Sequence, residues 1–196
     1  LPTGELVVSC YNHDHPDSTA MYGLYVNEDG TITTQPFVIN ATTANNQIMP
    51  MIAPLSGGGF VAVWASEDEA GISDIIGRIF AVDGTAGDEF VVSAANGADQ
   101  STPYVIGRKG GGFTVGWTDE SDPQHVYLYS YDVNGEPVGQ KRAVSADESS
   151  SLRGSDEIEM AELTDGSLAA VWEATANGNQ DIFGRILFGL APIVFS

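Results

Sequence analysis

The sequence predicts an all-β fold, a β-propeller of four blade-like repeats, from the regular spacing of two marked positions. A glycine opens an apolar run at four places separated by 54, 53 and 55 residues, and each run closes six residues later. The opening residues are Gly4, Gly58, Gly111 and Gly166, and the closing residues are Cys10, Trp64, Trp117 and Trp172. A period of about 53 residues favours a propeller, a solenoid or an array over other folds.

Short apolar runs predict up to four antiparallel strands in each unit. The second unit is complete, with runs at 48–55, 59–64, 74–80 and 89–93. Val, Ile, Phe and Trp dominate these runs, turn pairs such as Asp83-Gly84 separate them, and no helical period is present. The units span approximately 1–47, 48–100, 101–155 and 156–196 of a single repeat domain. Together they predict fifteen strands, because the first unit lacks its first run.

Small sheets of this kind cannot bury both faces alone, so neighbouring units are expected to stack. Radial stacking gives a propeller with about four strands per blade, which we favour. A solenoid usually has shorter repeats, and a sandwich is the other alternative. We expect the tryptophan at the end of each second strand to pack between blades. Fifteen strands are one fewer than four full blades need. The sequence leaves open whether the chain is a fragment of a longer parent chain, a partner chain fills the gap in the ring, or a three-stranded blade suffices.

The composition is strongly acidic. Asp and Glu number 27 against 7 Lys and Arg, which gives a net charge of -20. Such a chain repels nucleic acid and anionic membrane surfaces and attracts divalent cations, although an acidic surface also serves solubility alone. The single cysteine, Cys10, cannot form an internal disulfide. We expect no membrane insertion and no signal segment at the start, so the chain is mature or cut from something longer.

The loops between second and third strands carry clustered carboxylates, which we predict bind calcium. Oxygen-rich turns are the setting that calcium takes, although solvated acidic turns are the alternative interpretation. The candidate ligands are Asp14, Asp17, Glu67, Asp68, Asp74, Asp119, Glu120 and Asp122. His13 and His15 flank Asp14 and could coordinate zinc or another transition metal, although a defined zinc site needs three or four ligands. Surface histidines are the alternative there.

Two further local patterns predict structural roles. Arg78 follows Asp74 by four residues, as Arg185 follows Asp181, and we expect an ion pair within each of these blades. The glycine triplets at 57–59 and 110–112 lack the Lys-Ser/Thr of a phosphate-binding loop, so we expect them to serve the bend into the strand.

No catalytic motif is present, which favours a binding protein and leaves enzymatic activity open. The sequence has no nucleophile elbow, HExxH or Cys-His arrangement, and its many carboxylates cannot nominate a glycosidase without geometry. Four tyrosines beside acidic loops could instead face a sugar, as in a lectin. They are Tyr22, Tyr127, Tyr129 and Tyr131.

The repeat resembles the roughly fifty-residue repeats of large extracellular bacterial proteins. The resemblance is carried by GGGFVAVW, DIIGRIFAVDG and EFVVS in the second unit and by GSLAAVW and DIFGRIL in the fourth. Proteins with such repeats often carry hemolysin-type calcium-binding repeats and leave the cell by type I secretion. The third unit departs from the pattern with Leu128-Tyr129 in place of Gly-Arg, and the calcium nonapeptide GGxGxD is absent.

We therefore expect an extracellular, secreted binding or adhesion module with calcium in its loops. Its expected partner is a glycan or a protein ligand on a surface, and a homo-oligomer or a larger parent chain is compatible with the pattern. The alternatives are a carbohydrate-binding lectin and a portion of a secreted hydrolase.

Calcium binding predicts a thermal shift. A cation that binds only the folded state raises its stability by about 2.7 kcal/mol at a hundredfold excess over the dissociation constant. The unfolding midpoint in millimolar calcium is expected to exceed that in excess chelator. Equal midpoints would assign the loop carboxylates to solubility.

Overall fold

The computed structural model describes residues 6–11, 20–93, 97–121, 125–145, 157–176 and 179–188, which form fourteen β-strands. In chain order these are β1 Leu6–Tyr11, β2 Met21–Val26, β3 Phe37–Val38, β4 Gln47–Pro54, β5 Phe60–Glu67, β6 Ser73–Phe80, β7 Ala86–Val91, β8 Gln100–Gly107, β9 Phe113–Asp119, β10 His125–Tyr131, β11 Pro137–Ala143, β12 Ile158–Glu162, β13 Leu168–Ala176 and β14 Asn179–Leu187. No helix occurs in these ranges, and hence none that could cross a membrane.

The strands form four antiparallel sheets, one for each predicted unit. Sheet I is β1-β2-β3, sheet II is β4-β5-β6-β7, sheet III is β8-β9-β10-β11 and sheet IV is β12-β13-β14. The all-β prediction and the blade-like sheets of three or four strands are confirmed. The predicted last strand, 192–196, lies outside the described residues.

Each sheet runs from a shared interior to the surface. The first strands of sheets II, III and IV contact one another in chain order, β4 with β8 and β8 with β12. The second strands β5 and β9 are almost completely buried, whereas the fourth strands β7 and β11 are largely exposed. The first strands therefore lie together and the fourth strands form the outer edges.

The sheets stack through one repeated contact. We call the side of a sheet that bears the tryptophan, or its equivalent, the tryptophan face, and the other side the opposite face. Trp64, with Phe60 and Ala62, packs against Met21 and Ile39 on the opposite face of sheet I. Trp117 belongs to the cluster shared with sheet II, and Trp172 to the cluster shared with sheet III. The prediction that the tryptophans pack between neighbouring sheets is confirmed.

A glutamine fixes the indole in two of these contacts. Trp64 Nε1 donates to Gln47 Oε1 at 2.8 Å, and Trp117 Nε1 donates to Gln100 Oε1 at 2.7 Å. Both glutamines begin the first strand of their sheet and lie 17 residues before the tryptophan. They satisfy a buried donor that would otherwise lose its hydrogen bond to water.

A polar residue lies two positions after the last strand of each of sheets I, II and III. Asn40 Oδ1 accepts from Met21 N at 2.8 Å, Ser93 Oγ from Ile75 N at 2.8 Å, and Ser145 Oγ from Val126 N at 3.0 Å. These bonds tie the segment after the last strand of each of these sheets to the strand beside it. They give a structural reason for the polar residue at this equivalent position of the three sheets.

The predicted Asp74–Arg78 ion pair is wrong. Positions four apart in a strand lie about 13 Å apart at 3.3 Å per residue, which is too far for contact. Arg78 instead donates to the carbonyl oxygens of Gly87 at 2.7 Å and Ile39 at 2.9 Å, so it joins sheet II to the end of sheet I.

A nearly buried ion pair joins sheets III and IV. Arg108 Nε lies 2.9 Å from Glu162 Oε1, and the arginine also donates to the carbonyl oxygen of Gly166 at 2.6 Å. The second glutamate oxygen accepts from Lys109 N at 2.8 Å. Because hydrogen bonds satisfy both charges, this pair avoids the cost of an unpaired buried ion.

The last glycine of each triplet makes the bend that the sequence predicts. Gly59 and Gly112 have φ values of 73° and 69°, and a Cβ on either would lie 2.1 Å from the carbonyl oxygen of Phe80 or Tyr131. Only glycine fits this close approach without strain.

The tryptophan–glutamine bonds predict a measurable loss of stability. Gln100→Ala leaves Trp117 Nε1 buried without a partner, which costs about 1–3 kcal/mol. We expect this loss in urea-induced unfolding, and a similar one for Gln47→Ala. Gln140→Ala, at an exposed position of β11, serves as the control and should change little. Equal stabilities of Gln100→Ala and Gln140→Ala would contradict this role of the bond.

Candidate functional site

A cavity of about 240 Å³ is lined by one triplet of residues from each of three sheets. The triplets are 49–51, 102–104 and 157–159, with the sequences Met-Pro-Met, Thr-Pro-Tyr and Glu-Ile-Glu. Each triplet begins 15 residues before the tryptophan of its own sheet, so the three occupy equivalent positions in the repeat. The repeat thus brings three chemically different segments to one place.

The backbone is strained at two of the equivalent positions. Met49 and Thr102 have φ values of 55° and 46°, which residues other than glycine rarely adopt. Both lie where the register of the first strand shifts, between Ile48 and Met51 in β4 and between Ser101 and Tyr104 in β8. Bulges and strained residues concentrate at functional sites, so these positions mark the cavity as a candidate site.

The cavity wall combines carboxylates with apolar and aromatic groups. Glu157 and Glu159 are exposed and alternate with the buried Ile158. Tyr104 contributes an aromatic ring, and Met49 is 44% exposed. Two carboxylate acceptors beside apolar surface can bind a ligand that has both hydroxyl groups and carbon-hydrogen faces.

The cavity and the acidic loops lie at the same end of the sheets. The loop after β5 starts beside the beginning of β4, because Glu67 N donates to Asn46 O at 2.9 Å. In sheet III, Glu120 N donates to Asp99 O at 2.8 Å, which places the loop after β9 beside the beginning of β8. The predicted ligands at the starts of these two loops, Glu67 and Glu120, therefore lie at the end of the sheets where the cavity lies.

The loop after β5 uses its carboxylates in local hydrogen bonds. Asp68 Oδ1 accepts from Ala70 N at 2.7 Å and from Ile72 N at 3.0 Å, which closes the loop on itself. Glu67 Oε2 accepts from the Asn46 side chain at 2.6 Å. These bonds give both residues a structural role.

The carboxylates at the end of β9 are held in the same way. Asp119 is buried, and its Oδ1 accepts from Ser121 N at 3.0 Å. Glu120 Oε1 accepts from Ser101 Oγ at 2.7 Å, next to the bulge of β8. This bond connects an acidic loop to the strand that contributes Thr102 to the cavity wall.

Asp74 differs from the other candidates within the described residues because one of its oxygens, Oδ1, is buried without a hydrogen bond. Burial raises the pKa of Asp74, and the neighbouring carboxylate of Asp68 raises the pKa further. The structure therefore disfavours the ionised form of this side chain.

The remaining predicted ligands cannot be placed. Asp14, Asp17, Asp122, His13 and His15 lie outside the described residues. Within the ranges that the structure covers, no three Asp, Glu, His or Cys side chains group in a way that could hold a metal ion. The calcium and zinc interpretations stay predictions.

The tyrosines proposed to face a sugar mostly serve the sheets. Tyr131 is buried and donates to the carbonyl oxygen of Val92 at 3.1 Å, so its assignment to a ligand surface is wrong. Tyr127 stacks on Trp117 with ring centroids 5.9 Å apart and has the Lys141 ammonium 4.2 Å from its centroid. The tyrosine that the sequence reasoning missed is Tyr104, in the cavity wall.

The triplets themselves were also missed. The repeat spacing contains the signal, because alignment on the tryptophans superposes the three segments. The proline that follows both Met49 and Thr102 is a second signal, since proline inside a strand indicates an edge or a bulge.

Comparison with known proteins shows the fold alone. No family model matches the chain, and no curated protein is similar enough to match it. Among solved structures, the chain is similar to the endo-arabinase from Bacteroides thetaiotaomicron VPI-5482, with a TM-score of 0.56 and 14% sequence identity. The likeness covers 98% of this chain and 72% of that one.

The raised pKa of Asp74 predicts a pH-dependent stability difference. Because the folded state favours the protonated acid, ionisation of Asp74 weakens the fold as the pH rises from about 3.9, the ordinary value for aspartate, through the raised value. Asp74→Asn removes this loss, so the variant should be more stable than the native chain at pH 7, and its advantage should disappear at pH 3.

Urea-induced unfolding at the two pH values checks this prediction. Asp88→Asn, at an exposed position of β7, removes one negative charge equally and controls for the net charge. The same gain in both variants at pH 7 would show that total charge, and not the environment of Asp74, sets the effect.

Proposed function

We propose that the chain is a binding module of β-propeller type that takes carbohydrate in the cavity formed by the three triplets. The observation that carries the proposal is the convergence of equivalent segments from sheets II, III and IV on one cavity with two exposed carboxylates. A glycan is the ligand class that matches these groups.

The arrangement of the sheets supports the propeller part of the proposal. Successive sheets stack tryptophan face on opposite face, their first strands lie together, and their fourth strands form the outer edges. Blades that stack in this order around an axis expose equivalent first-strand segments at one end of that axis. The convergence of the three triplets on one cavity supports such an axis.

The chemistry of the cavity supports a carbohydrate ligand. Sugar hydroxyls donate to carboxylates in charge-assisted hydrogen bonds, and the faces of a sugar ring pack on aromatic and apolar side chains. Glu157 and Glu159 supply the first kind of group, and Tyr104 and Met51 supply the second. The similar solved structure belongs to an endo-arabinase, which makes arabinose-containing chains the first ligands to test.

A hydrolase is the second candidate, because two carboxylates lie in the cavity wall. Glu157 and Glu159 are two residues apart in extended chain, which puts their α-carbons about 7 Å apart. Glycosidases use paired carboxyl groups at separations of roughly 5 to 9.5 Å. The side chains of the two exposed glutamates are long enough to bring their carboxyl groups to such a separation, and the likeness to an endo-arabinase suggests the same chemistry.

The proposal includes an extracellular setting. It rests on the resemblance of the repeats to those of extracellular bacterial proteins and on the acidic composition. Calcium in the loops around the cavity is a separate part of the proposal. Surface adhesion would follow from binding of cell-wall or host glycans.

Calorimetric titration with arabino-oligosaccharides, preceded by a glycan array, tests the binding function. Glu157→Gln and Glu159→Gln are each expected to weaken binding about tenfold or more, because a hydrogen bond to a charged group contributes about 1.5–3 kcal/mol and 1.4 kcal/mol is a factor of ten. Glu28→Gln, in the exposed turn after β2, is the matched control and should bind normally.

Two results would contradict the proposal. One is an array without any bound glycan, and the other is binding that neither glutamate variant changes. Release of reducing ends from the bound glycan by the native chain, with loss of release in both glutamate variants, would instead favour the hydrolase.

A further inference from the structure

The cavity formed by the three triplets carries charge of one sign only. Among the described residues that line it, Glu157 and Glu159 are the charged ones, and none is lysine or arginine. A third carboxylate lies beside the wall, because Glu120 Oε1 accepts from Ser101 Oγ at 2.7 Å, next to Thr102. A neutral ligand that displaced water from these carboxylates would leave them without a counter-charge, which costs free energy.

The basic side chains whose contacts the structure describes do not compensate this charge. Arg108 pairs with Glu162. Arg78 donates to two backbone carbonyl oxygens, and the Lys141 ammonium lies over the ring of Tyr127. Neither arginine nor this lysine lines the cavity. The chain has a net charge of -20, so its field attracts cations to the cavity and repels anions from it.

Ile158 fixes the two glutamates on one side of their strand. It is 2% exposed and packs over Gly116 of sheet III, where a Cβ on the glycine would lie only 3.0 Å from Ile158 Cδ1. Side chains two residues apart in extended chain project to the same side, opposite to the residue between them. Glu157 and Glu159 therefore project together, away from the buried isoleucine, and both are exposed.

A primary ammonium group matches two neighbouring carboxylates better than a hydroxyl group does. An ammonium has three N–H donors and a positive charge, whereas a hydroxyl has one donor and no charge. Hydrogen bonds between an ammonium and a carboxylate are charge-assisted from both partners. One ammonium can thus donate to both glutamates and reduce their mutual repulsion, which one hydroxyl cannot do.

The rest of the wall suits a sugar ring that carries such a group. Tyr104 offers an aromatic ring, which attracts a nearby cation, and Met49 and Met51 add polarisable apolar surface. The volume of about 240 Å³ is below the roughly 300–1,000 Å³ of ordinary small-molecule sites, so the cavity takes a small group, such as one residue of a chain. In an amino sugar the ammonium is attached directly to the ring. A lysine carries it on a flexible four-carbon stem, which loses more conformational freedom on binding.

We propose that the cavity selects amino sugars with free, positively charged amines over neutral and acidic sugars. This selection rests on the proposed function, since it concerns the ligand class of the same cavity. The charge of the amine compensates that of Glu157 and Glu159. Sugar acids add negative charge to an acidic cavity and are excluded.

Calorimetric titration with two ligands of the same shape tests the selection. One is the chitosan tetramer, whose residues are all glucosamine, and the other is cellotetraose, which has a hydroxyl in place of each amine. At pH 5.5, where the amines are protonated, and at low salt, the glucosamine tetramer is expected to bind at least tenfold more tightly. This ratio should fall in half-molar salt, because salt screens the attraction between exposed charges. A tetramer of galacturonic acid should not bind.

Glu157→Gln and Glu159→Gln are each expected to lower the ratio of the two affinities at least threefold. Glutamine keeps an oxygen that accepts from a hydroxyl, but it lacks the negative charge that attracts the ammonium. Glu28→Gln removes the same charge from the exposed turn after β2 and should leave the ratio unchanged. Equal reductions in all three variants would show that the total charge of the chain attracts the ligand, and would overturn the proposal.

The other outcomes separate this selection from the proposed function. If cellotetraose or an arabino-oligosaccharide binds as tightly as the glucosamine tetramer, the selection is overturned and the carbohydrate function stands. If no glycan binds, both fail. If tetralysine binds as tightly, with the same dependence on Glu157 and Glu159, the cavity takes basic peptides and the proposal is overturned.

Discussion

The fold depends on the burial of each tryptophan face against the sheet that precedes it. A sheet of three or four strands has two sides, and its inner strands carry apolar side chains on both of them, as Val63 and Trp64 of β5 do, so neither side is stable in water. Burial of one large apolar side chain contributes about 1.5–3 kcal/mol, and each contact buries several. Because the contact always joins unlike faces, it gives the stack a direction. That direction determines which segments converge on the cavity.

Much of the architecture was predictable because it depends on periodic, local features. The strand runs, the turn pairs and the role of Gly59 and Gly112 all follow from residue type and spacing. The packing of the tryptophans followed from size and apolar character. The partners of the buried polar groups did not follow. Gln47 lies in a polar segment of the sequence, and its bond to Trp64 exists only because strand register brings together residues 17 positions apart. The prediction that Arg78 pairs with Asp74 was wrong because it overlooked the length of an extended strand, in which positions four apart are too far from each other for contact.

The candidate site was predictable in part. The sequence drew attention to acidic loops, and the structure places the loops after β5 and β9 at the same end of the sheets as the cavity. It also shows that Glu67, Asp68, Asp119 and Glu120 are occupied in hydrogen bonds that shape those loops. The sequence did not indicate the residues of the cavity wall in the same way, because no residue type is common to the three triplets. The triplets are related only by their equal spacing from the tryptophans along the sequence. The strain at Met49 and Thr102 is visible only in the backbone conformation of the structure.

The central claim is that one cavity, built from three equivalent triplets, takes a glycan. The most direct test is two-dimensional NMR of the isotopically labelled chain during titration with the oligosaccharide that binds best. The account predicts that the shifted backbone amides concentrate at 49, 51, 102, 104 and 157–159, Pro50 and Pro103 having no amide proton. Shifts confined to other surfaces, or an unchanged spectrum at saturating glycan, would contradict it.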